Sequence, residues 1–246
     1  MVGGRAARAG RVALKPVLVR QHLESAPPGT LAAWLERRGL AFELDRSWLG
    51  APLPDPADYA FVASLGHERG AGDTHDPAVA DERELLRLAV ARDVPVLGLC
   101  YGGQVLAAVL GARVGPAPAP ELGWREIQTD DPRRVPAGPW LEWHFERFET
   151  PPGATELART PEAPQAFRLG PHLGVQFHPE ATVEIVRGWA SADAERLAAL
   201  GIEDADALLA ASPERRTAAE AAAFELFDAF LADVHTADQS REKFAM

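Results

Sequence analysis

The stretch VPVLGLCYGGQ, residues 94–104, contains the only cysteine of the 246-residue chain. Its first half is an apolar run rich in valine and leucine, which predicts a buried strand. A Gly-x-Cys-x-Gly turn follows, and residues 104–110 favour a helix. Strand, sharp turn and helix in this order are typical of a nucleophile elbow, here with Cys100 as the nucleophile. The alternative is that Cys100 is a small buried apolar residue, which is the usual place of a lone cysteine.

The glycines beside the turn have a steric purpose in this interpretation. Gly98 and Gly102 leave room for the strand and the helix to cross closely. The turn is expected to hold Cys100 in a strained backbone conformation. It also places the sulfur near the first amides of a helix, where the partial positive charge favours a thiolate.

A second motif, GVQFHPE at residues 174–180, ends another short apolar run. Residues two apart in an extended segment project to the same side, so His178 and Glu180 are expected to point together. A carboxylate beside an imidazole can keep one ring nitrogen protonated and turn the other toward a nucleophile. We therefore predict Cys100, His178 and Glu180 as a catalytic set. The alternative is a structural histidine at a strand end, followed by a first-turn acid of the next helix.

Composition and charge predict a single α/β enzyme domain in the cytoplasm. The chain is 47% hydrophobic, and 25 basic against 36 acidic residues give a net charge of −11. This charge argues against nucleic acid and anionic membranes as partners. One cysteine allows no internal disulfide, and no apolar run approaches the about 20 residues that span a bilayer. Residues 1–11 are basic and small, lack the apolar core of a secretory signal, and are expected to form a disordered start.

Alternating strand and helix patterns before Cys100 predict a mostly parallel sheet with helices on both faces. Strands are expected at residues 16–20, 41–44, 59–64 and 94–99, and helices at residues 30–38 and 81–92. Thr30 is predicted to cap the first helix. The Pro- and Gly-rich residues 112–176 predict added antiparallel structure at the sheet edge. We assign residues 12–190 to one domain and residues 191–246 to a helical extension packed on it.

The two motifs resemble those of the class I glutamine amidotransferases, whose glutaminase domains carry a Gly-x-Cys-x-Gly-x-Gln elbow and a downstream His-Pro-Glu. The closer resemblance is to free-standing, GMP-synthase-like amidotransferase domains. It is carried further by ELGW at residues 121–124, WHFERF at 143–148 and PPGATELA at 151–158. The likeness runs from about Val17 to Ile185. It implies the three-layer, open, flavodoxin-like sheet of that family.

The fold implies a site at the carboxyl ends of the strands, where acyl transfer needs amide donors for the developing oxyanion. Tyr101 follows the nucleophile, and Gly66 follows a neighbouring strand, so their amides are the predicted oxyanion hole. Family members carry two adjacent glycines where this chain has Leu65-Gly66. The alternative for Gly66 is an ordinary turn glycine.

The resemblance also implies three substrate-binding residues. Gln104 would help to fix the substrate glutamine, although a polar residue in a first helical turn is common. His144 and Glu146 match a histidine and an acid that face the substrate or a partner domain in GMP-synthase-like relatives. Phe145 stands between them where those relatives carry glycine.

No cofactor and no metal is expected. His67 and His75 lie near Asp73 and Asp76 in the sequence, but their spacing is not typical of zinc ligands. A solvated polar loop is the prediction for this segment.

The resemblance implies an amide hydrolase that converts glutamine to glutamate and ammonia through a γ-glutamyl thioester. The chain carries no phosphate-binding Gly-rich loop of its own, so the ammonia would feed a separate synthetase, or the protein acts alone. One alternative is a stand-alone hydrolase of γ-glutamyl amines or peptides that uses the same three residues. Another is a non-catalytic regulatory or binding subunit, against which the intact triad argues. The sequence leaves the ammonia acceptor and the oligomeric state open.

Overall fold

The structure is a computed structural model that describes residues 15–73, 75–211 and 213–244. The strands in this part of the chain are β1 (Val17–Gln21), β2 (Phe42–Arg46), β3 (Val62–Ser64), β4 (Val96–Leu99), β5 (Val114–Arg125), β6 (Gln128–Thr129), β7 (Trp140–Phe148), β8 (Thr155–Arg159), β9 (Pro164–Leu169) and β10 (His172–Val175). The helices are α1 (Gly29–Arg38), α2 (Pro77–Ala91), α3 (Tyr101–Val109), α4 (Val183–Ala192), α5 (Ala194–Ala199), α6 (Ala205–Leu209) and α7 (Pro213–Phe244). The predicted disordered start at residues 1–11 lies outside the described residues.

The main sheet has eight strands in the order β2-β1-β3-β4-β10-β9-β8-β6. The first five strands in this order pair in parallel. Beyond β10, the strands β9, β8 and β6 are antiparallel additions. The order of the parallel strands is that of a flavodoxin-like, doubly wound sheet. The predicted open, mostly parallel fold is therefore confirmed.

The prediction of antiparallel structure at the sheet edge for residues 112–176 is only partly correct. Strands β6, β8 and β9 extend the sheet edge as predicted, but β10 is a central parallel strand. Strands β5 and β7 form a separate two-stranded sheet, with a register shift between Pro116 and Glu121. The prolines of β5 at positions 116, 118 and 120 explain the separation, because residues without an N–H group cannot complete the ladder of a central strand.

Helices cover both faces of the main sheet. Alternate residues of β1 point to opposite faces, so Val17 and Val19 join one apolar cluster and Leu18 joins the other. The first cluster includes residues of α1 and α7, and the second includes residues of α2 and α3. The three layers of the fold follow from this alternation.

The long helix α7 packs across α1. Its buried residues Leu226, Phe227 and Phe230 belong to the core cluster on that face. The Phe227 ring lies 5.4 Å from the Trp34 ring, and the Trp34 indole donates a hydrogen bond of 2.9 Å to Asp228. The predicted start of the extension at residue 191 falls inside α4. Within the described ranges, no helix combines the length and the apolar character needed to cross a membrane.

The start of α1 differs from the prediction. The helix begins at Gly29, and Thr30 lies inside it, so Thr30 is not its cap. The Thr30 amide instead donates a hydrogen bond of 2.8 Å to the backbone oxygen of Glu180. This contact satisfies one of the helix's unpaired N-terminal amides with a distant residue rather than a local side chain. The end of α1 is as predicted, because Gly39 adopts the left-handed conformation with φ 65°.

The crossing of β4 and α3 leaves no space for side chains at two glycines. A Cβ atom on Gly98 would lie 2.6 Å from the Gly102 carbonyl oxygen. A Cβ atom on Gly102 would overlap the carbonyl oxygen of Ser64, at the end of β3. The turn at Cys100 can therefore be this sharp only with glycine at both positions.

Two helical glycines provide a test of this packing. Gly102→Ala should lower the free energy of unfolding by about 1–3 kcal/mol, because the new methyl group meets backbone that cannot move away. Gly188→Ala is the matched control, since a Cβ atom on Gly188 in α4 has nothing within 4 Å. It should raise the free energy of unfolding by up to about 1 kcal/mol through helix propensity. Urea unfolding of both variants gives the comparison, and equal shifts of the two would contradict the close crossing.

Candidate active site

Cys100 occupies the predicted turn between β4 and α3. Its backbone has φ 49° and ψ −107°, a region that residues with side chains rarely adopt. The Cys100 amide donates a hydrogen bond of 2.9 Å to the Val175 carbonyl at the end of β10. The side chain is buried, with 5% relative exposure, yet it borders a cavity of about 340 Å³. This is the strained, sharply turned geometry of a nucleophile elbow.

His178 and Glu180 follow β10 and form a buried pair. His178 Nδ1 lies 2.8 Å from Glu180 Oε1, and both side chains are almost fully buried. The His178 amide donates a hydrogen bond of 2.9 Å to the Leu141 carbonyl in β7. The Glu180 carbonyl accepts the hydrogen bond from the Thr30 amide in α1. The other ring nitrogen, Nε2, has no hydrogen-bond partner among the described residues. The imidazole is thus fixed through one nitrogen and has the other available.

The charge state of His178 depends on its two neighbours. Burial lowers the pKa of His178, but the interactions with Cys100 and then Glu180 outweigh it and hold the pKa well above its ordinary value. A histidine between a thiolate and a carboxylate is stabilised in the imidazolium form. The neighbours of His178 therefore favour its imidazolium form.

Gln176 is a site residue that the sequence reasoning missed. It is fully buried, and its amide nitrogen points to Cys100 Sγ at 3.8 Å. Its amide oxygen lies 3.4 Å from the side-chain nitrogen of Gln104, which also donates to the Glu146 carbonyl at 3.1 Å. The signal was present in GVQFHPE, because Gln176 precedes His178 by two residues and the alternation of an extended segment sends both to one side.

The predicted oxyanion-hole residues lie beside the predicted catalytic set. A Cβ atom on Gly66 would come to 2.9 Å from His178 Cε1, so only glycine fits there without a shift of the imidazole. The Gly66 loop is tied to the elbow by a 3.2 Å hydrogen bond from the Gly102 amide to the Leu65 carbonyl. Tyr101 is the first residue of α3, and its amide is one of those without an intrahelical acceptor. Their role in holding an oxyanion stays a prediction.

A network of buried ion pairs lies next to the loop that contains Gly66. Glu82 in α2 is fully buried, accepts a hydrogen bond of 2.6 Å from the Ser64 hydroxyl and pairs with Arg20 at 3.1 Å. Arg20 also pairs with Asp45 at the end of β2. The network joins the carboxyl ends of β1, β2 and β3, from which the Gly66 loop leaves the sheet.

His144 lies between two buried carboxylates. Alternation along β7 puts Glu142, His144 and Glu146 on one side, and His144 pairs in register with Glu121 of β5. His144 Nε2 is 3.3 Å from Glu121 and 3.3 Å from Glu142, at ion-pair distance but without hydrogen-bond geometry. Burial lowers the pKa of His144, but Glu121, Glu142 and, to a smaller degree, Cys100 raise it to about 10. His144 is therefore an imidazolium at neutral pH.

The cavity brings together most of the residues predicted from the sequence. It is lined by Gly66, Cys100, Gln104, His144, Glu146 and His178. Glu180 stands behind His178, and the Tyr101 ring packs against His22 and His67. Both ring nitrogens of His144 face protein groups, because Nδ1 lies 3.0 Å from the Glu146 carbonyl. One Glu146 oxygen is buried without a hydrogen-bond partner among the described residues.

One wall of the cavity comes from α4 and α5, which no sequence motif indicated. Trp189, Ala192, Asp193 and Arg196 line it. The Trp189 ring lies 4.7 Å from the His178 ring, and its indole donates a hydrogen bond of 2.8 Å to the Ser25 carbonyl. The segment around His67 and His75, considered above for metal binding, forms no cluster of three or more possible metal ligands in the described residues.

Comparison with known proteins shows the family of the chain. The family model "Glutamine amidotransferase class-I" matches residues 70–186. The glutamine amidotransferase-like protein YfeJ of Salmonella typhimurium is 30% identical over 186 residues, which cover 70% of this chain and 77% of YfeJ. The chain belongs to the class I glutamine amidotransferase family.

Other relatives of the chain are glutamine-hydrolysing GMP synthases. One of the subunits of the GMP synthase of Ignicoccus hospitalis is 33% identical over 138 residues, or 52% of this chain and 71% of that relative. The GMP synthase of Aeropyrum pernix is 40% identical over 143 residues, which are 54% of this chain and 26% of that protein. The chain thus spans about a quarter of the length of this second GMP synthase.

Solved structures agree with the fold. A glutamine amidotransferase from Methylobacillus flagellatus superposes with a TM-score of 0.76 at 29% identity, covering 89% of this chain and 95% of that chain. One from Thermotoga maritima gives a TM-score of 0.78 at 25% identity, covering 87% and 97%. Both superpositions therefore cover most of the chain.

The raised pKa of His144 has a consequence for stability. A group whose pKa rises on folding stabilises the folded state fully below its unfolded pKa, near 6.5, and loses this effect as the pH passes its folded pKa. With a folded pKa of about 10, His144 should make the wild-type free energy of unfolding fall between pH 7 and pH 10. In His144→Gln, the free energy of unfolding should fall less between these two pH values than in the wild type. The difference should exceed about 1 kcal/mol, since one pKa unit corresponds to about 1.4 kcal/mol.

Urea unfolding at pH 7 and pH 10 measures this difference. His172→Gln is the control, because burial lowers the pKa of His172 to about 4 and leaves it neutral throughout this range. The control should keep the wild-type pH dependence. A His144→Gln protein with the same pH dependence as the wild type would show that His144 does not hold a proton between its two carboxylates.

Proposed function

We propose that this chain hydrolyses the side-chain amide of glutamine to glutamate and ammonia, with Cys100 as nucleophile. The observation that carries the proposal is the His178 imidazole, held by Glu180 at 2.8 Å and bordering the same cavity as the strained Cys100. A nucleophile, a base and an orienting acid are the side chains that acyl transfer by a catalytic triad requires. Membership of the class I glutamine amidotransferase family supports glutamine as the substrate.

In the first half-reaction, the Cys100 thiolate attacks the amide carbon of glutamine. The amide oxygen gains negative charge, which the N–H groups of Tyr101 and Gly66 stabilise. His178 then gives its proton to the amide nitrogen, the C–N bond breaks, and ammonia leaves. The product on the enzyme is a γ-glutamyl thioester on Cys100, and His178 is neutral.

In the second half-reaction, His178 takes a proton from water, and the resulting hydroxide attacks the thioester. The C–S bond breaks, the new γ-carboxyl group loses its proton to solvent, glutamate leaves, and the Cys100 thiolate and the imidazolium are regenerated. Glu180 keeps the His178 ring oriented through both steps. Gln104 and Gln176 lie beside the substrate's side-chain amide, and the cavity-lining carboxylate of Glu146 accepts hydrogen bonds from the substrate's ammonium group.

Two candidate functions differ in whether the released ammonia passes to a separate synthetase. The similarity to a GMP synthase subunit of Ignicoccus hospitalis supports transfer to a separate synthetase. The α4–α5 wall over the cavity favours a second candidate, a stand-alone hydrolase of γ-glutamyl amines, because it encloses the site with the chain's own residues. Ammonia and glutamate release from glutamine, measured beside release from a panel of γ-glutamyl amines, distinguishes them. Preference for an amine over glutamine by kcat/KM favours the second candidate.

Two further features complete the proposal. A cytoplasmic location fits a catalytic thiol that must stay reduced, in a chain with a single cysteine. Residues 12–190 would form the catalytic domain, with residues 191–246 as a helical extension packed on it.

The nucleophile is tested by two substitutions. Cys100→Ala should abolish glutamine hydrolysis, because only the thiolate can form the acyl intermediate. Cys100→Ser should be nearly inactive, since the site is built to hold a thiolate rather than to deprotonate an alcohol. Circular dichroism and thermal melting should show that both variants stay folded. Substantial hydrolysis by purified Cys100→Ala would reject the assignment.

The division of labour between His178 and Glu180 gives a second test. His178→Ala should reduce kcat by about 10²–10⁴-fold, since both half-reactions need this general acid–base. Glu180→Gln should lose less, because the base remains but is poorly oriented. Steady-state kinetics and a single-turnover assay of the thioester follow both steps. Wild-type rates in His178→Ala would show that His178 is not the general acid–base of the reaction.

A further inference from the structure

The α4–α5 wall is held in place from two sides. The Trp189 indole in α4 donates to the Ser25 carbonyl at 2.8 Å, before α1. The Trp143 indole in β7 donates to Asp193 Oδ2 at 2.9 Å, between α4 and α5. Apolar residues of α4, α5 and α6 also share one cluster with β5 and β7. These contacts hold α4 and the junction between α4 and α5 against the cavity.

The cavity contains two arginines in different states. Arg69 forms an ion pair with Asp76 at the start of α2, so its charge is already matched. The Arg196 guanidinium instead lies over the Phe145 ring, 3.2 Å from its centroid. Among the described residues, no carboxylate lies within 4.0 Å of Arg196. Arg196 is thus the cavity's arginine without a carboxylate partner in the described chain.

The stacking on Phe145 leaves the donors of Arg196 available. The N–H groups of a guanidinium lie in its plane, so a ring against its face occupies none of them. An arginine held in this way presents a fork that matches a carboxylate with two parallel hydrogen bonds. Glu146, which also lines the cavity, adds a carboxylate to it. A cation and an anion in one small cavity match the two charged groups of a free α-amino acid.

We propose that Arg196 binds the substrate's α-carboxylate, and that the enzyme therefore takes γ-glutamyl amides whose α-carboxylate is free. The inference rests on the proposed hydrolysis, and it adds the feature by which substrates are selected. Compounds in which this carboxylate is missing or blocked lose the Arg196 contact. Glutamine within a polypeptide belongs to this excluded class.

The test compares two arginine variants on two substrates. Arg196→Gln should raise KM for glutamine about 10-fold or more, with kcat changed less than about 2-fold, because a charge-assisted hydrogen bond to bound substrate is lost. Its kcat/KM for 4-aminobutanamide, which is glutamine without the α-carboxylate, should equal that of the wild type. Arg187→Gln is the matched control, since Arg187 in α4 pairs with Asp206 and does not line the cavity. It should behave as the wild type on both substrates.

A binding measurement separates this inference from the proposed reaction. Calorimetry with L-glutamine on Cys100→Ala, with and without Arg196→Gln, needs no turnover. Weaker binding in the double variant supports the Arg196 contact, even if the wild type hydrolyses no glutamine and the proposed function fails. Equal binding in the two proteins, no binding to Cys100→Ala, or an unchanged KM in an active Arg196→Gln enzyme would overturn it.

Discussion

The pairing of β4 with β10 is the contact on which the site depends. The two strands run in parallel, with Val175 opposite Leu99. Cys100 follows Leu99 directly, and its amide donates a hydrogen bond to the Val175 carbonyl. Parallel strands end at the same edge of the sheet, so the segment after β10 must pass the elbow. A shift of this register by one residue would turn the alternate side chains of β10 and its extension to the other face. Cys100 and His178 therefore meet because of sheet topology, although they are 78 positions apart in the sequence.

Buried charged residues surround the contact between β4 and β10. His178 and Glu180 form the pair next to the thiol, while His144 lies between Glu121 and Glu142 on the β5–β7 sheet. Below the Gly66 loop, Glu82 is matched by Arg20. Removing one member of a buried pair leaves an uncompensated charge, which is strongly destabilising. These groups thus restrict the conformations that the loops around the cavity can adopt.

The sequence predicted those features whose determinants are local. The elbow depends on Gly98, Cys100 and Gly102 within five positions, and the alternation in the second motif placed His178 beside Glu180. Features that depend on distant contacts were not predicted. Thr30 has the side chain of a helix cap, but its amide meets Glu180, which is 150 positions away. The prolines of β5 indicated a poor central strand, yet nothing local showed that it would pair with β7 alone.

The α4–α5 wall was missed for the same reason. Trp189 and Arg196 follow no motif, and their roles come from contacts with His178 and Phe145. Helical periodicity indicates which face of such a segment is apolar, but not which cavity its polar residues reach.

The solitary thiol makes the protein dependent on other molecules for its redox repair. Cys100 is the only cysteine of the chain, so a sulfenic acid formed on its sulfur has no intramolecular thiol with which to close a disulfide. Reduction must come from an outside thiol, and that thiol must reach a side chain with 5% exposure. A sulfenic acid on Cys100 would therefore persist until an outside thiol enters the cavity.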